Sequence, residues 1–244
     1  LTAINSINWA RIMAQTVYYF WAFLQLEEEQ VSFIVPSGNF GNIFSAKVAK
    51  NMGLPINQLH IVTNENDILH RSISNGQMKI NEVKETYSPS MDIQISSNFE
   101  RQIYESVNQK SEVVIDIMEK LNINKNYQFE ESTLKNFQNI YNSDSVTDDA
   151  TIDTIKMFFE KYNYLSDPHT ATGLSLLNKQ YQNKYSLISL ACAHPAKFGH
   201  AIKKATGKSP NLPKELENIF DKEEKITILD NNIIEIKSLI LKNI

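Results

Sequence analysis

The chain predicts an α/β fold built on a doubly wound, mostly parallel sheet with a mostly helical insertion. Short apolar runs alternate with segments of helical periodicity, the order that yields βαβ units. The runs Val31-Ser32-Phe33-Ile34-Val35-Pro36 and Tyr185-Ser186-Leu187-Ile188-Ser189-Leu190-Ala191-Cys192 are near-continuously apolar, as expected of strands covered on both faces. Between the first run and the helix-like stretch from Ile43 to Met52 lies Ser37-Gly38-Asn39-Phe40-Gly41-Asn42, so glycine falls at a strand-to-helix turn.

The elements follow in order. Ser6 or Asn8 can cap a helix whose apolar residues Trp9, Ile12, Met13, Val17, Phe20, Trp21 and Leu24 spread broadly enough to predict burial on more than one side, inside the domain. After the strand and the glycine turn, Gly53 and Pro55 stop the next helix, and Leu59 to Thr63 reads as a second strand, parallel to the first. Asp67 begins a short helix that Asn75-Gly76 breaks. From Lys79 to Ser145 the sequence is polar and less regular; Ser97-x-x-Glu100 reads as a capping box for a helix from Phe99. Helical periodicity returns through Ile152, Ile155, Phe158 and Tyr162, and again from Gly173 to Leu177, while Pro195 starts a helix that Gly207 ends. The expected organisation is residues 1–78 as the first part of a large domain, 79–145 as the insertion, 146–208 as the second part, and 209–244 as a tail with a β-rich stretch at 225–229.

Composition narrows the function. With 244 residues and 42% hydrophobic content the chain can bury a substantial core. Its 24 basic and 28 acidic residues leave no broad cationic footprint for nucleic acid, and no apolar stretch reaches the length of a membrane span. A single cysteine excludes an intrachain disulfide and suits a reducing compartment, the cytoplasm. The five histidines, His60, His70, His169, His194 and His200, lack the paired spacing of a zinc site, so no metal is expected. The opening Leu1-Thr2-Ala3 has neither Met nor the layout of a signal peptide, and the chain reads as beginning mid-protein.

Two places can bind anions. At the glycine turn, free N–H groups of a helix's first turn and the positive end of its dipole point at whatever sits there. The spacing Gly-x-x-Gly fits neither the dinucleotide fingerprint nor the Walker loop, so a different phosphate is implied, or else glycine merely bends the chain. Ser6, Asn8 and Arg11 offer a hydroxyl, an amide and a guanidinium within about one and a half turns of a helix start. That set reads as a second anion site or as a capped helix with one surface arginine. Cys192, at the carboxyl end of its strand, faces the crevice where α/β proteins hold ligands, or fills the core as a small hydrophobe.

The chain resembles the threonine synthase family. Asn5-Ser6-Ile7-Asn8-Trp9-Ala10-Arg11, Ser37 to Asn42, Thr63-Asn64-Glu65-Asn66-Asp67, Ser96-Ser97-Asn98-Phe99-Glu100-Arg101, Asp167-Pro168-His169-Thr170-Ala171-Thr172-Gly173 and Ala193-His194-Pro195-Ala196-Lys197-Phe198 occur in that family's order. The resemblance implies a fold-type-II, tryptophan synthase β-like scaffold and the conversion of O-phosphohomoserine and water to threonine and phosphate with pyridoxal phosphate. It implies that Ser37, Gly38, Asn39, Phe40, Gly41, Asn42 and Cys192 meet the cofactor and that Ser6, Asn8 and Arg11 meet the substrate phosphate. It also implies that the Schiff-base lysine belongs to an N-terminal half upstream of Asn5, so that neither Lys47, expected on a helix surface, nor Lys197 is that lysine. Cys192 departs from the family, where a threonine usually meets the pyridine nitrogen. Two other readings stand beside this one: another fold-type-II enzyme acting on serine or threonine, and a non-catalytic phosphate- or nucleotide-binding module.

Overall fold

The computed structural model describes residues 5–177 and 185–243; the opening Leu1-Thr2-Ala3 lies outside them. The chain divides into two units, Leu1–Pro210 and Asn211–Ile244.

The first unit is organised by a parallel sheet. Helix α1 (Trp9–Leu24) begins at Asn8, whose side chain accepts the Ala10 N–H. Strand β1 (Val31–Pro36), helix α2 (Gly41–Asn51) and strand β2 (Ile56–Thr63) follow, with β1 and β2 parallel in the register Phe33 to Leu59 and Val35 to Ile61. Helix α3 (Ile68–Ser74), strand β3 (Gln77–Lys79), helices α4 (Phe99–Ser106) and α5 (Ser111–Asn124), strand β4 (Asn126–Gln128), helix α6 (Glu131–Gln138) and strand β5 (Tyr141–Ser145) come next. Helices α7 (Asp148–Tyr162) and α8 (Pro168–Leu177), strand β6 (Leu187–Ser189) and helix α9 (Gly199–Thr206) complete the unit. The sheet order is β5-β2-β1-β6, all parallel, and β3 and β4 form a separate antiparallel pair.

Every residue of β1 is buried because helices cover both faces. Alternate side chains go to opposite sides. Phe33, Val35, Leu59 and Ile61 join the large cluster that includes Ile12 and Tyr19 of α1 and Ile43 of α2, whereas Ile34 and Val62 pack with Val146 and with Leu176 of α8.

Several expectations need correction. Helix α1 buries Ile12, Thr16 and Tyr19 but leaves Val17, Trp21 and Leu24 exposed, so it covers the sheet with one face rather than lying inside the unit. Strand β6 is short, half-buried and paired on one side only, with β1, so the run from Tyr185 is an edge rather than a strand covered on both faces. The stretch 79–145 is mostly helical but does not stand apart: its last five residues are β5, and Phe99, Phe129, Phe137 and Tyr141 fill the main core. Ser97 caps nothing; Asn98 is the residue before α4, and the Ser97 hydroxyl is used elsewhere. In the second unit residues 225–229 form no strand, and helix α10 (Ile233–Lys242) is capped by Asn232.

The core's densest feature is aromatic. The Phe99 ring lies 5.1 Å from Phe40, 5.3 Å from Phe137 and 6.2 Å from Phe129. Tyr141, 5.6 Å from Phe40, satisfies its buried hydroxyl by donating to Gln102 at 2.7 Å. Replacing Phe99 with alanine removes the ring on which three others rest, and we expect a loss of about 3–5 kcal/mol in chemical denaturation. Ile123→Ala, at a side chain 77% exposed, should stay within about 0.5 kcal/mol.

Candidate active-site crevice

A cavity of about 220 Å³ opens at the carboxyl ends of β1 and β6, lined by Pro36, Gly38, Ser90, Met91, His169 and Cys192 together with residues 193, 197 and 198. In parallel α/β sheets this is where ligands sit. Gly38 and Cys192, far apart in sequence, thus face one space.

The turn on one wall is built from Phe40. Its backbone is left-handed (φ 62°), a conformation that costs a bulky residue about 1–3 kcal/mol. Burial of its ring among Phe44, Phe99 and Tyr141 offsets that cost. With the ring held inward, the main-chain N–H groups of Gly38, Asn39 and Phe40 have no hydrogen-bond acceptor among the described residues. The Ser37 hydroxyl is buried and likewise unpartnered, although its N–H is tied to the Val62 carbonyl at 2.8 Å. Three free N–H groups, one orphaned hydroxyl and the start of α2 make a cradle with the chemistry to accept an anion.

The two glycines differ in how closely the rest of the chain approaches them. A Cβ on Gly38 would meet the Ser90 carbonyl oxygen at 2.9 Å and the Met91 Cα at 3.0 Å, so this glycine admits the segment 88–92. That segment is anchored by Asp92, which accepts hydrogen bonds from the buried Asn64 and Asn66 and from Thr86. A Cβ on Gly41 meets only ordinary contacts at 3.5 Å or more, so bulk there need not close the cradle. The Asn42 amide oxygen accepts from the hydroxyls of Tyr18 and Tyr19, and the Asn39 amide oxygen from Ser97. Burial raises both tyrosine pKa values, so these hydroxyls stay protonated donors.

The opposite wall hangs on Asp167. Its carboxylate, fully buried, accepts from the His169 N–H and Nδ1, each at 2.9 Å, from the Thr170 N–H and hydroxyl, and from the Ala193 N–H at 3.2 Å. It thereby caps α8 and tethers the chain after β6. Burial pushes the carboxyl upward, but the hydrogen bonds from His169, Thr170 and Ala193 outweigh it and hold the pKa below the usual range. With Nδ1 donating to Asp167, His169 Nε2 accepts the Ser90 N–H at 3.1 Å, which specifies the neutral tautomer. Thr170 passes the chain on by accepting the Cys192 N–H at 2.8 Å. Cys192 is exposed to the crevice, yet its sulfur is crowded by protein. That burial, with the Asp167 charge adding to it and the Thr170 hydrogen bond opposing, pushes the thiol up to about 12, so it is neutral.

Ser6, Asn8 and Arg11 do not line this cavity. Asn8 caps α1, the Ser6 hydroxyl lies 3.2 Å from that of Ser97, and the Arg11 guanidinium is exposed without an ion pair among the described residues. Lys47, expected on a helix surface, is buried and paired with Glu105 at 2.7 Å. Tyr18, Tyr19 and Ser90 escaped the sequence reading because no local pattern marks a side chain that acts across the fold, and Asn98 stood in it only as part of a family motif. Asp167 stood in the sequence only as part of a family motif, with nothing local to mark it as the anchor of the Cys192 wall. Among the described residues no three His, Cys, Asp or Glu side chains cluster to hold a metal, and no helix is long and apolar enough to cross a membrane.

This parallel α/β scaffold is that of the fold-type-II pyridoxal-phosphate enzymes. The structure matches pyridoxal-phosphate-bound threonine synthase from Brucella melitensis with a TM-score of 0.93 at 42% identity, over 98% of this chain and 52% of that one. Yeast threonine synthase matches with a TM-score of 0.88 at 36% identity, over 98% and 53%. The threonine synthase of Pseudomonas aeruginosa is 39% identical over 98% of this chain and 52% of its own length. Residues 170–240 match a family model described as threonine synthase, C-terminal. The chain therefore belongs to the threonine synthase family, and it spans about half the length of the relatives it matches.

Two predictions follow from the walls. Asp167→Asn turns an amide N–H₂ toward donors and should lower stability by about 2–4 kcal/mol at pH 7. Because the carboxyl pKa is depressed on folding, its contribution is present above the unfolded value near about 4 and is lost as pH falls below it. Thermal melts between pH 7 and pH 3 should thus show the gap between the two proteins narrowing with acid. Gly38→Ala should destabilise by about 1–3 kcal/mol through the contact with Ser90, whereas Gly41→Ala should be nearly neutral or stabilising.

Proposed function

We propose that the chain serves threonine synthesis as the C-terminal portion of a longer enzyme, converting O-phosphohomoserine and water to threonine and phosphate with pyridoxal phosphate in the cytoplasm. The observation that carries this reading is the cradle: an orphaned buried hydroxyl on Ser37 and three free N–H groups in the turn before α2, opening toward a crevice with a neutral thiol on its far wall. These residues fit the cofactor, because a phosphate supplies the acceptors that they lack. Ser37, Gly38, Asn39 and Phe40 hold that phosphate mainly through main-chain N–H groups and one hydroxyl. Gly41 and Asn42 open α2 and keep its dipole aimed there, with Asn42 fixed by Tyr18 and Tyr19.

When bound, pyridoxal phosphate supplies the electron sink for chemistry at the amino-acid carbons. Cys192 meets its ring nitrogen as an uncharged partner, the role of the threonine usual in the family, and leaves that nitrogen largely unprotonated. Arg11 draws the substrate's phosphate to the start of α1, whose first turn contains no acidic residue. The lysine that holds the cofactor covalently belongs to the portion of the relatives that this chain does not span.

Spectral titration with pyridoxal phosphate, borohydride trapping and peptide mapping test the reading. Alone, the chain should show no turnover and no stoichiometric adduct; a single adduct on Lys197 or Lys47 with turnover would overturn it. In the full-length enzyme Arg11→Ala should lower kcat/KM by about one to two decades with cofactor content intact. Ser6→Ala and Asn8→Ala should do so less. Cys192→Thr should keep most activity, Cys192→Ala lose a modest part, and Cys192→Asp lose far more while altering the cofactor spectrum. Activity falling only in proportion to folded protein would make Cys192 core filler.

A further inference from the structure

One short segment touches both stretches to which anion binding has been assigned. Asn98 is fully buried. Its Nδ2 donates to the main-chain oxygens of Ser6 and Asn39, each at 3.0 Å, and its own N–H donates to Asn39 again at 3.1 Å. Because both partners of Nδ2 are carbonyl oxygens, the amide has a single orientation. Its Oδ1 accepts Arg101 Nε at 3.2 Å, and Arg101 Nη2 donates to the Ile7 carbonyl at 3.0 Å. The guanidinium lies over the Trp9 ring, 5.4 Å from its centre. The Ser97 hydroxyl donates to Asn39 at 3.1 Å and lies 3.2 Å from that of Ser6.

Residues 97–101 therefore form a strut from the chain entering α1 to the cradle before α2. Arg101 spends its fork on a main-chain carbonyl and an amide, and no carboxylate pairs with it among the described residues. A lysine keeps the charge but lacks the planar fork whose Nε and Nη2 make these two bonds.

We propose that Asn98 and Arg101 are positioning residues that fix the span between the cofactor-phosphate cradle and the substrate-phosphate segment Ser6–Arg11, and so select a substrate whose phosphate sits at one set reach. The proposal rests on the functional reading above. A substrate held at the cofactor end presents its phosphate at a distance fixed by its own carbon chain, and a rigid strut matches that length where two independent loops would not.

The test uses the full-length enzyme carrying Arg101→Lys, Arg101→Gln or Asn98→Asp, with Lys120→Gln on the exposed face of α5 as control. The strut predicts that both Arg101 variants raise KM for O-phosphohomoserine about ten- to a hundredfold with kcat within about threefold, cofactor absorbance unchanged and lysine giving no rescue. Hydrogen exchange, read without substrate, should quicken in both 5–11 and 38–42 in all three variants and in neither for the control. Full recovery by lysine would reduce Arg101 to a bare charge. Faster exchange confined to 97–107, or cofactor loss with KM intact, would overturn the strut. If the wild-type enzyme fails to turn over O-phosphohomoserine, the functional reading falls, while the exchange pattern still decides whether the strut couples the two segments.

Discussion

The left-handed backbone at Phe40 is the constraint on which the rest of this structure depends. A bulky residue there is unfavourable in isolation, and it persists because the ring is fully buried between α2, α4 and β5. The aromatic cluster is therefore more than packing. It stabilises the one backbone geometry that frees the N–H groups of the turn, so core and cradle cannot be varied independently. The segment 79–145 is drawn into the main unit for the same reason, since it supplies Phe99, Phe137 and Tyr141.

The two walls of the crevice are held by different physics. The cradle side presents hydrogen-bond donors that no group among the described residues satisfies. The Cys192 side relies on one buried carboxylate whose oxygens are saturated by Ala193 and by groups of residues 169 and 170. A charge so buried is tolerable only when its acceptor sites are filled. Its negative field in turn helps to keep the neighbouring thiol protonated. Neutrality at Cys192 follows from its surroundings as well as from its residue type.

Much of the fold was legible because periodicity and punctuation are local. The strand at 31–36, the part of β2 from Leu59 to Thr63, the stop at Gly53, the Asn8 cap and the turn at Ser37–Asn42 all declare themselves within a few residues. What failed was non-local. Nothing near Tyr141 marks its strand as part of the main sheet, since the segment Tyr-Asn-Ser-Asp-Ser is mostly polar and gains its place by pairing with β2. Glycine at position 38 was legible as necessary, but its reason, the Ser90 carbonyl, lies more than fifty residues away. The Arg101 role was equally hidden, because main-chain carbonyl partners leave no trace in sequence.

The outer face of α1 has a colloidal consequence. Ala10, Ala14, Val17, Trp21 and Leu24 follow one another at alternating steps of four and three, and all five are exposed in this chain. Such spacing makes a continuous apolar seam of the sort that pairs helices. With a net charge of only −4, long-range repulsion is weak, and salt that screens it leaves the apolar attraction intact. Solutions of the chain should therefore have a negative second virial coefficient that deepens with ionic strength, and dilution rather than added salt should keep it dispersed.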